Sequence, residues 1–194
     1  MDISDEDARN SLDEIQAVAS RTRKTIAASY DSGLLIMWGL IWSTAFIGTH
    51  FFLSWAWPIW MGLCGIGSIA TFWVGWRQFR LANPIKLPAA EKIGWRISWF
   101  WGLLFVYIFI WLSILNPRHG IQVNAFLCTV IMFAYVVTGL WSKSSYMLWL
   151  GLAVTCITLI GFYLIPQGYY CLWMAAMAGG ALWGTGLYIR LRWR

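Results

Sequence analysis

Six long apolar runs, separated by short polar segments, dominate the pattern of the sequence. Each has close to the ~20 residues that a helix needs to cross ~30 Å of hydrocarbon. None contains Asp, Glu, Lys or Arg, whose placement at bilayer depth is costly. We therefore predict an all-α integral membrane protein with six transmembrane helices. The runs are Leu34–Ser54, Ile59–Trp76, Ile97–Leu115, Ile121–Trp141, Tyr146–Ile165 and Tyr170–Ile189.

Prolines mark the turns between the runs and group them as three hairpins. Pro58, Pro117 and Pro166 each separate the two runs of a pair, and the remaining two prolines lie in the one long polar connection, residues 77–96. Because proline inside a helix removes a backbone hydrogen bond, we expect all five to lie outside the spans. The pair Asn116–Pro117 predicts an N-cap followed by proline at the first helical position.

A glycine recurs at matching places in the three hairpins. The odd-numbered runs carry it early, in "MWGLIW", "FWGLLF" and "LWLGLAV", and the even-numbered runs carry it late, in "FWVGW", "VTGLW" and "GTGLY". The separations are 36, 37 and 35 positions, for the pairs Gly39/Gly75, Gly102/Gly139 and Gly151/Gly186. Two interpretations stay open: an internal triplication, or the ordinary recurrence of Trp and Gly in membrane helices.

The distribution of basic residues predicts orientation, since Lys and Arg are retained in the cytoplasm. Thirteen of the 14 lie in segments on one side of the predicted spans, and only Arg118 lies on the other. Both termini are therefore predicted to be cytoplasmic. The thirteen are Arg9, Arg21, Arg23, Lys24, Arg77, Arg80, Lys86, Lys92, Arg96, Lys143, Arg190, Arg192 and Arg194.

Residues 5–28 carry the pattern of an amphipathic helix ahead of the first span. Apolar residues recur with helical spacing, at Ala8, Leu12, Ile15, Ala19 and Ile26. Acidic residues occupy its first half and basic residues its last turns, which complements the helix dipole. We predict a cytoplasmic segment, 1–31, and a membrane domain, 32–194. The predicted partner-binding residues are Leu12, Glu14, Ile15, Arg21, Arg23, Lys24, Arg77 and Arg80.

The partner of this acidic helix is open at this point. It could contact the chain's own basic connection, a separate cytoplasmic protein or a second copy of this chain. A solvated leader helix that only assists insertion is the alternative.

The stretch "AVASRTRKTIAASYDSGLLIMWGLIW" resembles the start of small bacterial membrane proteins that carry a charged N-terminal helix ahead of several membrane helices. The resemblance covers roughly residues 12–50. It implies a multi-pass protein of the bacterial inner membrane, in a group whose genes often accompany a winged-helix transcription regulator. It implies no activity and no site residues.

Residues capable of chemistry are segregated by the predicted topology. His50 and His119 lie toward the outer face, whereas all carboxylates are predicted on the inner side, a bilayer thickness of ~30 Å away. This excludes a hydrolytic triad and paired-carboxylate catalysis. The chain also lacks a phosphate-binding Gly-Lys motif. The basic residues follow the inner leaflet, so we predict neither an enzyme nor a nucleic-acid-binding protein.

An outer polar cluster is the remaining candidate for a ligand site. His50, Arg118 and His119 are its candidate binding residues. A metal or haem site is a minor alternative, because the spacing matches no ligand motif.

Small residues at Ala176, Gly180 and Gly184 predict close helix packing, inside one bundle or between two copies. The sequence thus favours a non-enzymatic membrane subunit or regulator, in contact with lipid, that binds a protein partner or itself. The alternative is a binder or transporter of a small apolar or lipid-like molecule.

Overall fold

The computed structural model describes residues 32–81, 88–117 and 119–192, with the backbone alone at 78–81 and 88–93. All secondary structure within these ranges is helical, as predicted. The first five helices are α1 (Ser32–Phe51), α2 (Ala56–Leu81), α3 (Pro88–Leu115), α4 (Gly120–Ser142) and α5 (Ser145–Leu164). The last stretch, 170–192, consists of α6 (Tyr170–Trp173), a π-helical segment (Met174–Gly179) and α7 (Gly180–Arg192) in direct succession. The predicted helix over 5–28 lies outside the described residues.

Five of these helices, α1 to α5, contain stretches that are long and apolar enough to cross a membrane. Their mean hydropathy lies between 1.4 and 2.0. This confirms the prediction of an all-helical protein with several membrane-length helices. The stretch 170–192 coincides with the sixth apolar run, and it is divided by its π-helical segment.

The expectation that every proline lies outside the spans was wrong for Pro58. Helix α2 begins two residues before Pro58, and Pro88 is the first residue of α3. Proline is tolerated in a first turn, where its missing N–H has no intrahelical acceptor. As a result, much of the predicted connection 77–96 is helical, because α2 continues to Leu81 and α3 starts at Pro88.

The predicted N-cap at Asn116 was also wrong. Asn116 has a φ of 39° and its backbone N–H donates to the Leu112 carbonyl at 3.0 Å, so it ends α3. Asn is one of the few residues that adopts this left-handed conformation readily. His119, in an extended conformation, is the N-cap of α4.

Helices α4 and α5 pack extensively against each other, and their backbones approach closely at two glycines. A Cβ atom on Gly139 would lie 2.7 Å from the Leu148 nitrogen and 3.1 Å from the Ser144 carbonyl oxygen. A Cβ on Gly151 would lie 2.7 Å from the Met132 carbonyl oxygen. Only glycine permits these backbone contacts, which are the usual means of tight helix association in a membrane.

The same kind of contact joins α1 to the last helix. A Cβ on Gly186 would lie 2.7 Å from the Ser32 carbonyl oxygen and 2.9 Å from the Ile36 nitrogen. A Cβ on Gly39 would lie 2.9 Å from the Gly179 carbonyl oxygen. The start of α1 therefore lies beside the end of α7.

These two interfaces share one register. Gly139 contacts Ser144 and Leu148, which lie seven and three positions before Gly151. In the same way, Gly186 contacts Ser32 and Ile36, which lie seven and three positions before Gly39. The reciprocal contact follows the same rule: Gly151 meets Met132 and Val136, and Gly39 meets Gly179 and Trp183, again seven and three positions before the partner glycine.

The interior is filled by large side chains from α1, α4, α5 and the last helix. The largest fully buried residues include Tyr170, Phe46, Leu35, Met132 and Met174. By contrast, α2 and α3 are peripheral: 6% of the apolar window of each is buried, against 28–33% for α1, α4 and α5.

The prediction that Ala176, Gly180 and Gly184 pack inside the bundle was wrong by one helical position, whereas packing between two copies stays a prediction. Ala176 is exposed, and no heavy atom outside its own helix turn lies within 4 Å of a Cβ on Gly184. The buried face of this helix instead carries Ala175, Ala178, Gly179, Leu182 and Gly186. A helix that is apolar on all sides gives no indication in its sequence of which face is internal.

Helices α2 and α3 are each held by their hairpin partner. The Trp38 indole N–H donates to the Thr71 hydroxyl at 3.0 Å, which ties α1 to α2. In the second hairpin, the rings of Trp101 and Tyr135 meet edge to face with centroids 6.0 Å apart. The two contacts occupy matching positions in their hairpins. Each tryptophan directly precedes the recurring glycine of its own helix, and each partner lies four positions before the recurring glycine of the next helix.

Candidate functional site

Two of the predicted ligand residues, His50 and His119, lie at the end of the bundle away from the start of α1 and the end of α7. His50 is half-buried near the end of α1, where its ring stands edge to face against Phe51 with centroids 5.0 Å apart. His119 is exposed, and its carbonyl oxygen accepts the Gln122 N–H at 3.0 Å. Arg118 lies outside the described residues. The described contacts thus give His50 a packing role and His119 a helix-capping role.

Metal-ligating side chains do not gather among the residues that the structure describes. No group of three or more His, Cys, Asp or Glu side chains is placed to hold an ion there. All four cysteines, at positions 64, 128, 156 and 171, are free thiols.

Asn124, near the start of α4, serves a structural contact. The Tyr170 hydroxyl donates to the Asn124 Oδ1 at 3.1 Å, and the Cys128 thiol lies 3.6 Å from the same oxygen. Tyr170 is only 1% exposed. This polar contact joins α4 to α6 inside an apolar interior, where hydrogen bonds between helices are a recognised stabilising element. The pattern of apolar runs gave no signal of it.

A cleft between α3 and α4 lies near the same end of the bundle. Its volume is about 240 Å³, below the ~300–1,000 Å³ of ordinary ligand pockets. The lining is apolar apart from the Gln122 amide, and consists of Leu112, Leu115, Pro117, Gln122 and Phe126. Such a cleft can accept a short apolar group, with one amide available for a hydrogen bond.

Cations at the opposite end lie over aromatic rings. The Arg77 guanidinium lies 5.8 Å from the centre of the Trp73 ring, and that of Arg192 lies 5.6 Å from the Tyr188 ring. Arg192 also donates to the Tyr188 hydroxyl. Amphipathic rings combined with basic residues are typical of the region where a helix leaves the bilayer. This end of the bundle therefore presents a cationic, aromatic rim.

Most of the predicted partner-binding residues lie outside the described parts of the chain. This holds for Leu12, Glu14, Ile15, Arg21, Arg23 and Lys24, and for the side chain of Arg80. Arg77 is the described member of the set; it is exposed at the rim.

Comparison with known protein families, with curated proteins and with solved structures finds no significant match. The sequence and the geometry of the helices carry the functional argument.

Proposed function

We propose that this chain is a non-enzymatic integral membrane subunit or regulator that binds a protein partner through its N-terminal segment and the adjoining basic rim. In this proposal all six apolar helices cross a bacterial inner membrane, and both termini are cytoplasmic. The observation that carries the proposal is the position of the start of α1. The Ser32 carbonyl, directly after the acidic segment in sequence, lies against Gly186, four residues before Arg190 of α7.

Charge supports this location for a partner surface. Seven of the eight acidic residues precede Ser32, whereas Arg190 and Arg192 are exposed at the end of α7 and Lys143 is exposed at the turn after α4. Opposite charges on adjoining surfaces orient a partner and increase its rate of association more than its affinity. A partner that contacts both surfaces would therefore be sensitive to ionic strength.

The bundle itself supports a structural role. Its interior is filled by aromatic and aliphatic side chains, and a polar contact within it, Tyr170 to Asn124, is a link between helices. The apolar runs also carry no ionisable Asp, Glu, Lys or Arg of the kind that mark ion pathways.

Deletion of residues 1–28 tests the proposal. Full-length and truncated chains, purified gently from native membranes, are compared by mass spectrometry of the proteins and lipids that accompany them. We expect the truncated chain to lose its protein partner while its thermal unfolding is unchanged, because the described core lies entirely after residue 31. A full-length chain with Glu14→Lys and Asp13→Lys is the matched control for charge, and it should weaken partner binding without removing the helix. If the truncated chain keeps every protein partner, the proposal is wrong.

A second candidate function rests on the cleft between α3 and α4. There the chain would bind a small apolar or lipid-like molecule, with Gln122 beside its polar group. His50, Arg118 and His119 remain the further contacts predicted from the sequence. Phe126→Trp should fill the cleft and displace such a molecule, which lipid mass spectrometry detects. Loss of a bound lipid in this variant, together with partners that survive the deletion of residues 1–28, would favour the second function.

We also propose that the three hairpins are repeats of one ancestral unit. The support is the shared register of the two glycine interfaces and the matching position of the Trp38–Thr71 and Trp101–Tyr135 contacts within their hairpins.

A further inference from the structure

Gly75 and Gly102 are the two recurring glycines that remain, and Gly102 makes no such helix contact within the single chain. If α2 and α3 packed in the register of the other two interfaces, Gly102 would contact Ser68 and Phe72. These residues lie seven and three positions before Gly75. Among the residues that the structure describes, no heavy atom outside its own helix turn lies within 4 Å of a Cβ on Gly102. Phe72 is 76% exposed.

The tryptophans of the reciprocal half of this contact are exposed as well. Gly75 should face the residues seven and three positions before Gly102, which are Trp95 and Trp99. Their side chains are 65% and 55% exposed. Each chain therefore carries two complementary half-interfaces, which we name the α2 face (Ser68, Phe72 and Gly75) and the α3 face (Trp95, Trp99 and Gly102).

We propose that a second copy of this chain covers these faces, so that the α2 face of each copy packs on the α3 face of the other. A two-fold axis along the membrane normal makes both contacts at once, as an isologous dimer requires. In the closed interfaces the paired helices are antiparallel, since Gly39 meets Gly179 while Ser32 meets Gly186. Helices α2 and α3 also run in opposite directions, so the same geometry is reproduced between copies.

A second copy fits these faces better than lipid does. Lipid places no requirement on the position of a glycine, whereas close packing of two helices does. Gly102 stands at the position where Gly39 and Gly151 each permit a backbone contact. The indole of Trp99 would cover Gly75, as Leu148 and Ile36 cover Gly139 and Gly186.

The chain's own α2 and α3 are held on other neighbours. The Trp60 indole N–H donates to the Thr49 hydroxyl at 3.1 Å, and Gly67 lies against Trp38 and Ile41, so that α2 is fixed to α1. The ring contact between Phe100 and Trp141, with centroids 5.3 Å apart, fixes α3 to α4. The proposal rests on these described contacts and not on the proposed partner of residues 1–31, and a chain that lacks residues 1–28 should still dimerise.

Cross-linking between differently tagged chains tests the contact directly. Phe72→Cys in one chain and Gly102→Cys in the other, both with Cys64→Ala, are co-expressed and oxidised in the membrane. We expect a disulfide between the two tags. Phe72→Cys with Trp149→Cys on α5, which is 68% exposed and lies two residues before Gly151, is the matched control and should give none. If the pair cross-links only when both cysteines are in the same chain, α2 and α3 close within one copy and the proposal is wrong.

Gly102→Leu tests the same contact by size. Because the site is open in one chain, the variant should insert and fold normally while dimerisation weakens by about tenfold or more. Gly184→Leu is the matched control, since Gly184 is also an open helical glycine. Native mass spectrometry of the chain in lipid nanodiscs reads the oligomeric state. A monomeric wild-type chain, or a dimer lost only with Gly184→Leu, would overturn the proposal, as would another protein's helix cross-linked at position 102.

Discussion

At the residue scale, glycine carries most of the specificity of packing in this bundle. Leu, Ile and Phe are as compatible with lipid as with a protein interior, so they do not by themselves choose a partner. A glycine that faces another backbone does, because any side chain there would displace a rigid neighbour. Gly139, Gly151, Gly186 and Gly39 are all of this kind.

Gly186→Ala should therefore destabilise the protein, by about 1–3 kcal/mol, since the new methyl group would lie 2.7 Å from the Ser32 carbonyl oxygen. Gly184→Ala, two positions away, meets nothing and should be neutral or slightly stabilising. Thermal unfolding of the two variants in the same lipid or detergent makes the comparison. Equal effects would show that the α1–α7 contact does not limit stability.

At the element scale, the π-helical segment Met174–Gly179 is tied to α1 by a side chain. The Ser43 hydroxyl donates to the carbonyl oxygen of Ala175 at 2.9 Å. Wide turns of this kind disturb the regular hydrogen-bond ladder and often occur at functional positions. An acceptor in an apolar interior needs a donor, and Ser43 supplies one across the interface.

Ser43→Ala should cost about 0.5–1.5 kcal/mol and increase amide exchange in residues 174–179. Ser98→Ala is the matched control, because the Ser98 hydroxyl donates only within its own helix, to Gly94 at 3.0 Å. Hydrogen exchange with mass spectrometry resolves the segment. Unchanged exchange near Ala175 would mean that the serine does not stabilise the wide turn.

The sequence predicted the elements well and their contacts poorly, for a physical reason. Run length and the absence of charge located the helices, because the bilayer imposes both requirements. Helix ends were less accurate, since proline is acceptable in a first turn and Asn116 can close a helix. The prediction that Gly184 faces the interior was wrong, and the Tyr170–Asn124 contact was missed. When a helix has apolar residues on every side, its sequence does not indicate which side is internal.

At the scale of the whole molecule, the start of α1, the end of α7 and the described Arg77 and Lys143 lie at one end of the bundle. The contact of Ser32 with Gly186 joins the first and last helices. Lys143, at the α4–α5 turn, lies beside Gly139, close to the start of α5. A partner in the cytoplasm and a second copy in the bilayer would then use different surfaces, the basic rim and the α2 and α3 faces.

Both proposals depend on six crossings with the basic end in the cytoplasm, and one measurement tests this most directly. Single cysteines at Lys143, Arg192, His119 and Gly168, in a chain without its four native cysteines, are exposed in intact cells to a thiol reagent that does not cross membranes. We predict labelling at 119 and 168, and none at 143 and 192 until the membrane is opened. Labelling at 143 or 192 in intact cells would contradict the account.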